Sequence, residues 1–335
     1  MAKIRKAVIT AAGKGTRQYP ASHTVQKELF PIVDSDGYTK PVLQTIVEEA
    51  LSSGIEEVCI VVNPTNHDAV KAHFQGLTAG QKTAFANKPW GIALSDRLEE
   101  MRERLTFVVQ EKQDGYGHAV FQAKSFVGDE PFMLLLGDHV YVSPNIRCTI
   151  QVSEQYDLFA CPVSSVFLVK EDLVHRYGIV ATETIDGNAV ASRITAMVEK
   201  PSVDEARSLL KSPTAPVGSY YSFFGIHALP PAIFDCLKYL IDNDLRNKGE
   251  IQFTSAQEIL LRESDRYIAL CVEGKRYDIG VPDGLVETMV ALALYSPYAR
   301  KIYETVADVE RQKLAAAKVQ ANANFRNVGS VKENV

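Results

Sequence analysis

The feature that most constrains this chain is the alternation, over its first 150 residues, of short apolar runs with stretches of helical spacing. Lys6–Thr10 reads KAVIT and feeds the small, glycine-rich stretch Ala11–Thr16, while residues 41–51 carry apolar side chains at helical spacing. The run VCIVV at 58–62 precedes a polar turn at 63–66 and a helix through His73. Residues 98–104 read as a helix end, 106–109 as a strand, 117–126 as a helix and 131–136 (PFMLLL) as a strand. Short, continuously apolar strands are those covered on both faces, so the pattern predicts an α/β fold: a mixed, mostly parallel, Rossmann-like sheet flanked by helices.

Beyond residue 150 the predicted strands change character. Segments 158–169, 178–184, 194–199 and 220–228 are longer or alternate more, with fewer helices expected between them, as in a mixed sheet or a substrate-covering lobe. Residues 281–294 and 298–319 read as helices, and the polar tail 322–335 as a frayed end. Neither an internal repeat nor a low-complexity tract is present.

Composition removes several classes of function. A hydrophobic share of 46% and a charged share of 23% are those of a globular protein with a substantial core. The net charge of -5 and the lack of any Lys/Arg block argue against nucleic acid as a partner. With no long apolar segment and no signal-peptide pattern, neither a membrane span nor export is expected, which leaves the cytoplasm. Cys59, Cys148, Cys161, Cys236 and Cys271 are scattered, without CxxC spacing, and read as buried free thiols. Any polyanionic ligand must therefore meet a local cluster of donors.

One such cluster is Ala11-Ala12-Gly13-Lys14-Gly15-Thr16-Arg17, directly after a predicted strand, with Lys27 ten residues beyond Arg17. Consecutive amides in a glycine turn form an anion-binding nest, and Arg17 and Lys27 supply charge. The string is neither a P-loop nor a dinucleotide fingerprint, because Gln18 stands where a third glycine would and Pro20 soon follows. Taken alone, GxG fits a ligand loop and a tight turn equally. The longer string GKGTR, then Pro20, then QKELFP from Gln26 to Pro31, resembles the N-terminal signature of the sugar-1-phosphate nucleotidyltransferases. Within that family it is most similar to the bacterial UTP-glucose-1-phosphate uridylyltransferases. Gln26 replaces the usual proline, and Ser35–Thr39 looks like a small insertion.

The resemblance implies that the loop, Ala11, Ala12, Gly13, Gly15 and Thr16 with it, wraps nucleotide phosphates, while Arg17 and Lys27 bind the phosphates being divided. Gln110 followed by GYGHAV from Gly115 resembles the family's base-binding segment, which implies that Gln110, Gly115 and Gly117 meet the pyrimidine. Without it, a glutamine at a strand end is an ordinary solvated residue, and His118 reads as a cap or packing residue.

Gly137-Asp138-His139 places a carboxylate at the end of a buried strand, where open α/β sheets build ligand sites. Asp278, in YDIG, offers a second in a similar setting. Either is otherwise an Asx cap; both resemble the family's metal-binding aspartates, which implies Mg2+. Magnesium keeps several waters and takes one or two carboxylates plus substrate phosphates, so two suffice. Asp138-His139-Val140 lacks the DxD of many nucleotide-sugar glycosyltransferases.

YGIV at 177–180, EKP at 199–201 and GEIQFT at 249–254 resemble three further family segments, in the family's order. By that resemblance Gly178 and Glu199 contact sugar hydroxyls and Lys200 binds the sugar phosphate; Glu199-Lys200 alone reads as an exposed charged turn. The expected organisation is a catalytic domain over 1–293, with a nucleotide half at about 1–150 and a sugar-binding half at about 151–293, then a C-terminal helix and tail over 294–335. The expected reaction joins UTP to glucose 1-phosphate, giving UDP-glucose and pyrophosphate. Alternatives are another triphosphate (dTTP, CTP) or another sugar 1-phosphate, and, more remotely, a non-catalytic nucleotide-sugar sensor. A dehydrogenase lacks support from the loop. The family resemblance also implies a homodimer or homotetramer; the apolar stretch 289–298 fits an interface and packing on its own domain equally well.

Overall fold

The computed structural model describes residues 3–329, with side chains through residue 317. Thirteen strands run in chain order as β1 Lys6–Ala11, β2 Pro31–Val33, β3 Thr39–Pro41, β4 Glu57–Val62, β5 Leu105–Val109, β6 Phe132–Leu136 and β7 His139–Val142, then β8 Val163–Lys170, β9 Gly178–Ile185, β10 Asn188–Glu199, β11 Ser219–Leu229, β12 Ile268–Cys271 and β13 Lys275–Asp278. Nine of them form one sheet in the order β5-β4-β1-β6-β11-β8-β12-β10-β9. The pairings among β5, β4, β1 and β6 are all parallel. From β6 onward most are antiparallel, with β12 on β8 the parallel exception.

The change at β6 follows from the sequence. Ala7, Val8 and Ile9 of β1, the run from Val58 to Val62 in β4, and Phe132 to Leu135 in β6 are all fully buried. Both faces of these strands are therefore covered, as a parallel sheet between helices requires. One face packs on a core that includes Val8, Cys59, Val61, Val120, Phe132, Leu134, Phe234, Leu237, Phe253 and Leu260. A smaller cluster, Val169, Val174, Ile179, Ala206, Leu210 and Tyr220, closes the far end of the mixed sheet.

Several predicted elements are corrected. Residues 158–162 are not strand: a helix spans Cys148–Phe159, Ala160 turns left-handed at φ 52°, and β8 begins only after Pro162. The helix expected over 117–126 is two short ones, Tyr116–Phe121 and Lys124–Val127. The second half is also richer in helix than its strands imply, with Val203–Leu209, Ile233–Asp242 and Phe253–Glu263 between β10 and β12. Ile233, Phe234, Leu237 and Leu240 make the buried stripe that commits the middle one to a helix. All five cysteines are free, but only Cys59, Cys148 and Cys236 are buried; Cys271 is exposed.

Contacts divide the chain into two compact units, one of the residues up to Phe30 with Pro41–Leu285, the other of Pro31–Lys40 with the residues from Val286 onward. In the second unit, the insertion seen in the sequence is the turn between β2 and β3, where Lys40 Nζ lies 2.8 Å from Asp34 Oδ2 and 2.6 Å from Asp36 Oδ2. Its long helix runs Ala299–Gly329, past Asn322; the last residues of the tail expected to fray, 330–335, lie outside the described residues. No helix of the described residues is long and apolar enough to cross a membrane.

Two polar groups inside the first unit bear on stability. Ser164 Oγ sits 2.7 Å from His227 Nδ1 and 2.9 Å from the Tyr267 hydroxyl, which also accepts from Gln257 Nε2 at 2.7 Å. Burial pushes His227 down to about 3, so this knot tying β8, β11 and the helix Phe253–Glu263 is uncharged at neutral pH. Glu28 is 1% exposed and its Oε2 has no hydrogen-bond partner. Burial, only partly offset by Lys27, pushes its carboxyl up to about 7. A carboxyl whose pKa is raised by folding stabilises the fold while protonated and loses that contribution as pH rises from the unfolded value through the folded one. Ionised Glu28 thus costs on the order of 3 kcal/mol above pH 7. Glu28→Gln, melted at pH 5 and pH 8, should gain in Tm relative to the native chain as pH rises; an offset equal at both pH values would contradict this account.

Candidate active site

The site begins where β1 and β6 end side by side. Gly137 N–H donates to Thr10 O at 2.9 Å, and a Cβ at residue 137 would lie 2.4 Å from that oxygen, so only glycine lets the two strand ends meet. This contact sets Asp138 beside the loop that leaves β1. Gly15 takes φ 64° and hands the chain to a 3-10 turn, Thr16–Gln18. The Ala11 carbonyl accepts from Asn66 Nδ2 at 2.8 Å and the Ala12 carbonyl from Gln113 Nε2 at 2.5 Å. Gln18 Nε2 donates to Ile279 O at 2.7 Å, stapling the loop to the turn that carries Asp278.

Lys27 is buried beside Gly13, with its ammonium on Asp138 Oδ2 and 3.7 Å from Glu28 Oε1. Burial favours the neutral amine, but Asp138 and Glu28 outweigh it and raise the Lys27 pKa. Burial likewise opposes ionisation of Asp138, yet the Lys27 charge and then His139 hold that carboxyl well below the usual range. Both groups are therefore charged at neutral pH. Half-exposed Arg17 reaches Asp278, Nη1 to Oδ2 at 4.0 Å. Among the described residues no group of three or more His, Cys, Asp or Glu side chains is set to hold a metal ion. Two carboxylates come near one point, together with the Arg17 guanidinium: a Cβ placed on Gly280 would be 2.8 Å from Arg17 Nη2, 2.8 Å from Asp278 Oδ1 and 3.0 Å from Asp138 Oδ2. An oxygen pair of that kind fits a hard cation that draws its remaining ligands from water and phosphate.

Gln110 is buried at the end of β5, its Nε2 3.3 Å from Gly115 O and 3.0 Å from His118 Nδ1. Gly115 has φ 103°, and a Cβ there would lie 2.6 Å from Ile251 O. Gly117 N–H donates to that same oxygen at 2.9 Å. The segment GEIQFT, whose role the sequence leaves open, thus braces the loop of Gly115 and Gly117. It also reaches the third group: Thr254 Oγ1 donates to Glu199 Oε2 at 2.7 Å. Glu199 pairs with Gly178 across β10 and β9, and a Cβ on Gly178 would approach Glu199 Oε2 to 3.0 Å. Lys200 follows at φ 49°, its Nζ 3.3 Å from Glu199 Oε1 and its amide donating to Tyr177 O at 3.0 Å.

The residues predicted from sequence therefore fall into three groups. Arg17, Lys27, Asp138 and Asp278 meet at the ends of β1, β6 and β13. Gln110, Gly115 and Gly117 form the second, tied to the first through Gln113 and Ala12. Gly178, Glu199 and Lys200 form the third, tied to the second through Ile251–Thr254. Asn66, Gln113 and Gln18, which hold the groups in place, carry no sequence signal of that role, because each bonds a partner remote in the chain; Thr254 lies in the GEIQFT segment, but its bond to Glu199 is equally remote.

Comparison with known proteins identifies the family. The sequence model of the nucleotidyl transferase family matches residues 6–293. The UTP--glucose-1-phosphate uridylyltransferase 1 of Staphylococcus saprophyticus is 36% identical over 299 residues, covering 89% of this chain and 96% of its own. The UTP--glucose-1-phosphate uridylyltransferase of Bacillus subtilis is 34% identical, over 88% of this chain and 92% of its own. Among solved structures, a UDP-glucose pyrophosphorylase complexed with UDP-glucose superposes with a TM-score of 0.69 at 28% identity, over 86% of this chain and 98% of that one. The UTP-bound enzyme of Acinetobacter baumannii gives 0.73 at 26% identity, over 91% and 98%. With a family match spanning most of the chain and relatives of this identity at nearly full length, the chain belongs to the nucleotidyl transferase family.

Proposed function

We propose that the protein transfers the uridylyl group of UTP to glucose 1-phosphate, giving UDP-glucose and pyrophosphate. The observation that carries this reading is the meeting of Lys27, Arg17, Asp138 and Asp278 at one edge of the parallel strands, in a chain about a third identical to uridylyltransferases. A phosphate oxygen of the sugar phosphate attacks the α-phosphorus and pyrophosphate leaves in line. Because the attacking dianion is already nucleophilic, the protein's task is to hold two anions together against their repulsion.

The loop from Ala11 to Thr16, with Gly13 and Gly15, carries the triphosphate on its amides, and Arg17 and Lys27 draw off charge on the divided phosphates. The Lys27 ammonium has three donors, and its contact with Asp138 engages one of them. Gln110, Gly115 and Gly117 receive the base. Gly178 and Glu199 receive sugar hydroxyls, and Lys200, 42% exposed at its side chain, takes the sugar phosphate. Asp138 and Asp278 hold Mg2+, which supplies Lewis-acid stabilisation of the phosphates when bound.

On this reading residues 1–150 form the nucleotide half and 151–293 the sugar half of one catalytic domain, with 294–335 as a C-terminal extension. Five free cysteines suit a reducing, cytoplasmic setting. Exposed Met289, Val290, Tyr295 and Tyr298 suit contact between copies in a homodimer or homotetramer.

Pyrophosphate release should require Mg2+ and glucose 1-phosphate and should favour UTP over dTTP, CTP, ATP and GTP. A preference for another triphosphate would keep the mechanism and change the product; no release with any would contradict the assignment. Lys27→Ala and Asp138→Ala should each lose about a hundredfold in kcat while keeping their circular dichroism. Near-normal rates in both would overturn the roles of Lys27 and Asp138. Glu199→Ala should raise KM for glucose 1-phosphate several-fold and leave that for UTP little changed; a shift confined to UTP would contradict the sugar assignment.

A further inference from the structure

Next to Asp138 stands a pair of side chains to which neither the sequence nor the proposed mechanism gives a role. β7 and β13 form a two-stranded ladder in which His139 faces Asp278 and Arg276 faces Tyr141. His139 and Arg276 are thus diagonal neighbours on one face, within reach of a long side chain. Arg276 lies against two rings that themselves meet edge to face, its guanidinium carbon 4.5 Å from the centroid of Phe167 and 4.9 Å from that of Tyr177. From there Nη1 lies 2.8 Å from His139 Nε2, and His139 Nδ1 lies 2.9 Å from Asp138 Oδ1.

A guanidinium donates and never accepts, so Nε2 must be the acceptor. The ring proton then sits on Nδ1, where it is donated to Asp138 Oδ1. A doubly protonated ring would set N–H against N–H at 2.8 Å. Asp138 Oδ2 is held from the other side by Lys27, so both oxygens of the carboxylate are oriented by donors whose own positions are fixed.

We propose that Arg276 and His139 are positioning residues: Arg276 fixes the Nδ1–H tautomer of His139, and His139 in turn fixes the plane in which Asp138 presents its lone pairs to the divalent cation. The proposal rests on the reading of Asp138 as a cation ligand. It gives a reason for a cation held against two aromatic rings so near a carboxylate pair. Its attachment to Tyr177, whose carbonyl accepts from the Lys200 amide, runs the same support from the sugar segment to Asp138. Partners that orient a metal ligand are typically worth about 10-fold to 100-fold in metal affinity.

The test uses the full-length protein and two readouts. Long-range 1H–15N spectra should show His139 of the native chain with a protonated Nδ1 and an unprotonated Nε2, and Arg276→Met should release a second population protonated at Nε2. Mn2+ binding in the presence of UTP, followed by electron paramagnetic resonance, should weaken about tenfold or more in Arg276→Met and His139→Leu. It should recover in His139→Asn, whose amide nitrogen stands near the place of Nδ1. Protonation of Nε2 in the native chain would overturn the proposal, as would affinity unchanged in Arg276→Met and His139→Leu while Asp138→Asn loses it. Should Asp138→Asn itself bind Mn2+ normally, the reading of Asp138 as a ligand fails, and the proposal with it. Should Arg276→Met not fold, the contrast between His139→Leu and His139→Asn decides alone.

Discussion

The site depends on one close approach, that of the ends of β1 and β6 at Thr10 and Gly137. Parallel neighbours end on the same edge of the sheet, so a glycine loop after one and an aspartate after the other are delivered to a single place. A side chain at residue 137 would drive the strands apart, and with them the Lys27 ammonium from the Asp138 carboxylate. That ion pair sits in a buried setting, where a lone charge would be costly; each partner keeps the other ionised. A positively charged group is thereby held in position where, on the proposed reading, a triphosphate is met.

The rest of the first unit carries the third group of polar residues. The sheet changes from parallel to antiparallel at β11, and its far strands β9 and β10 present Gly178, Glu199 and Lys200. Segment 249–254 closes on both the Gly115 loop and Glu199, which makes it a brace between the second and third groups. Opposed charges at fixed spacing, rather than a reactive side chain, are what this geometry offers. That is the arrangement suited to a reaction between two anions.

Much of this was legible in the sequence, because the chemistry is local there. A glycine loop with two cations, and an aspartate after a buried run, are short strings that are ambiguous singly and read as a site only through their resemblance to a family, while the parallel half followed from its continuous apolar strands. What escaped is held by pairs far apart in the chain. Gln18 bonds Ile279, Arg276 bonds His139 and Asn66 bonds Ala11, and a long polar side chain gives no local sign of its distant partner. The helix Ile233–Asp242 differs, since its buried stripe is plain within IFDCLKYLID itself. At 158–162 a helix end and a strand start share one apolar run, and only the left-handed Ala160 separates them.

The central claim is that the protein acts by positioning and takes no uridylyl group onto itself. Exchange of labelled pyrophosphate into UTP tests this most directly. The account predicts exchange only when glucose 1-phosphate or UDP-glucose is present, since both partners must occupy the site together. Exchange with UTP and pyrophosphate alone would reveal a covalent uridylyl-protein and contradict it.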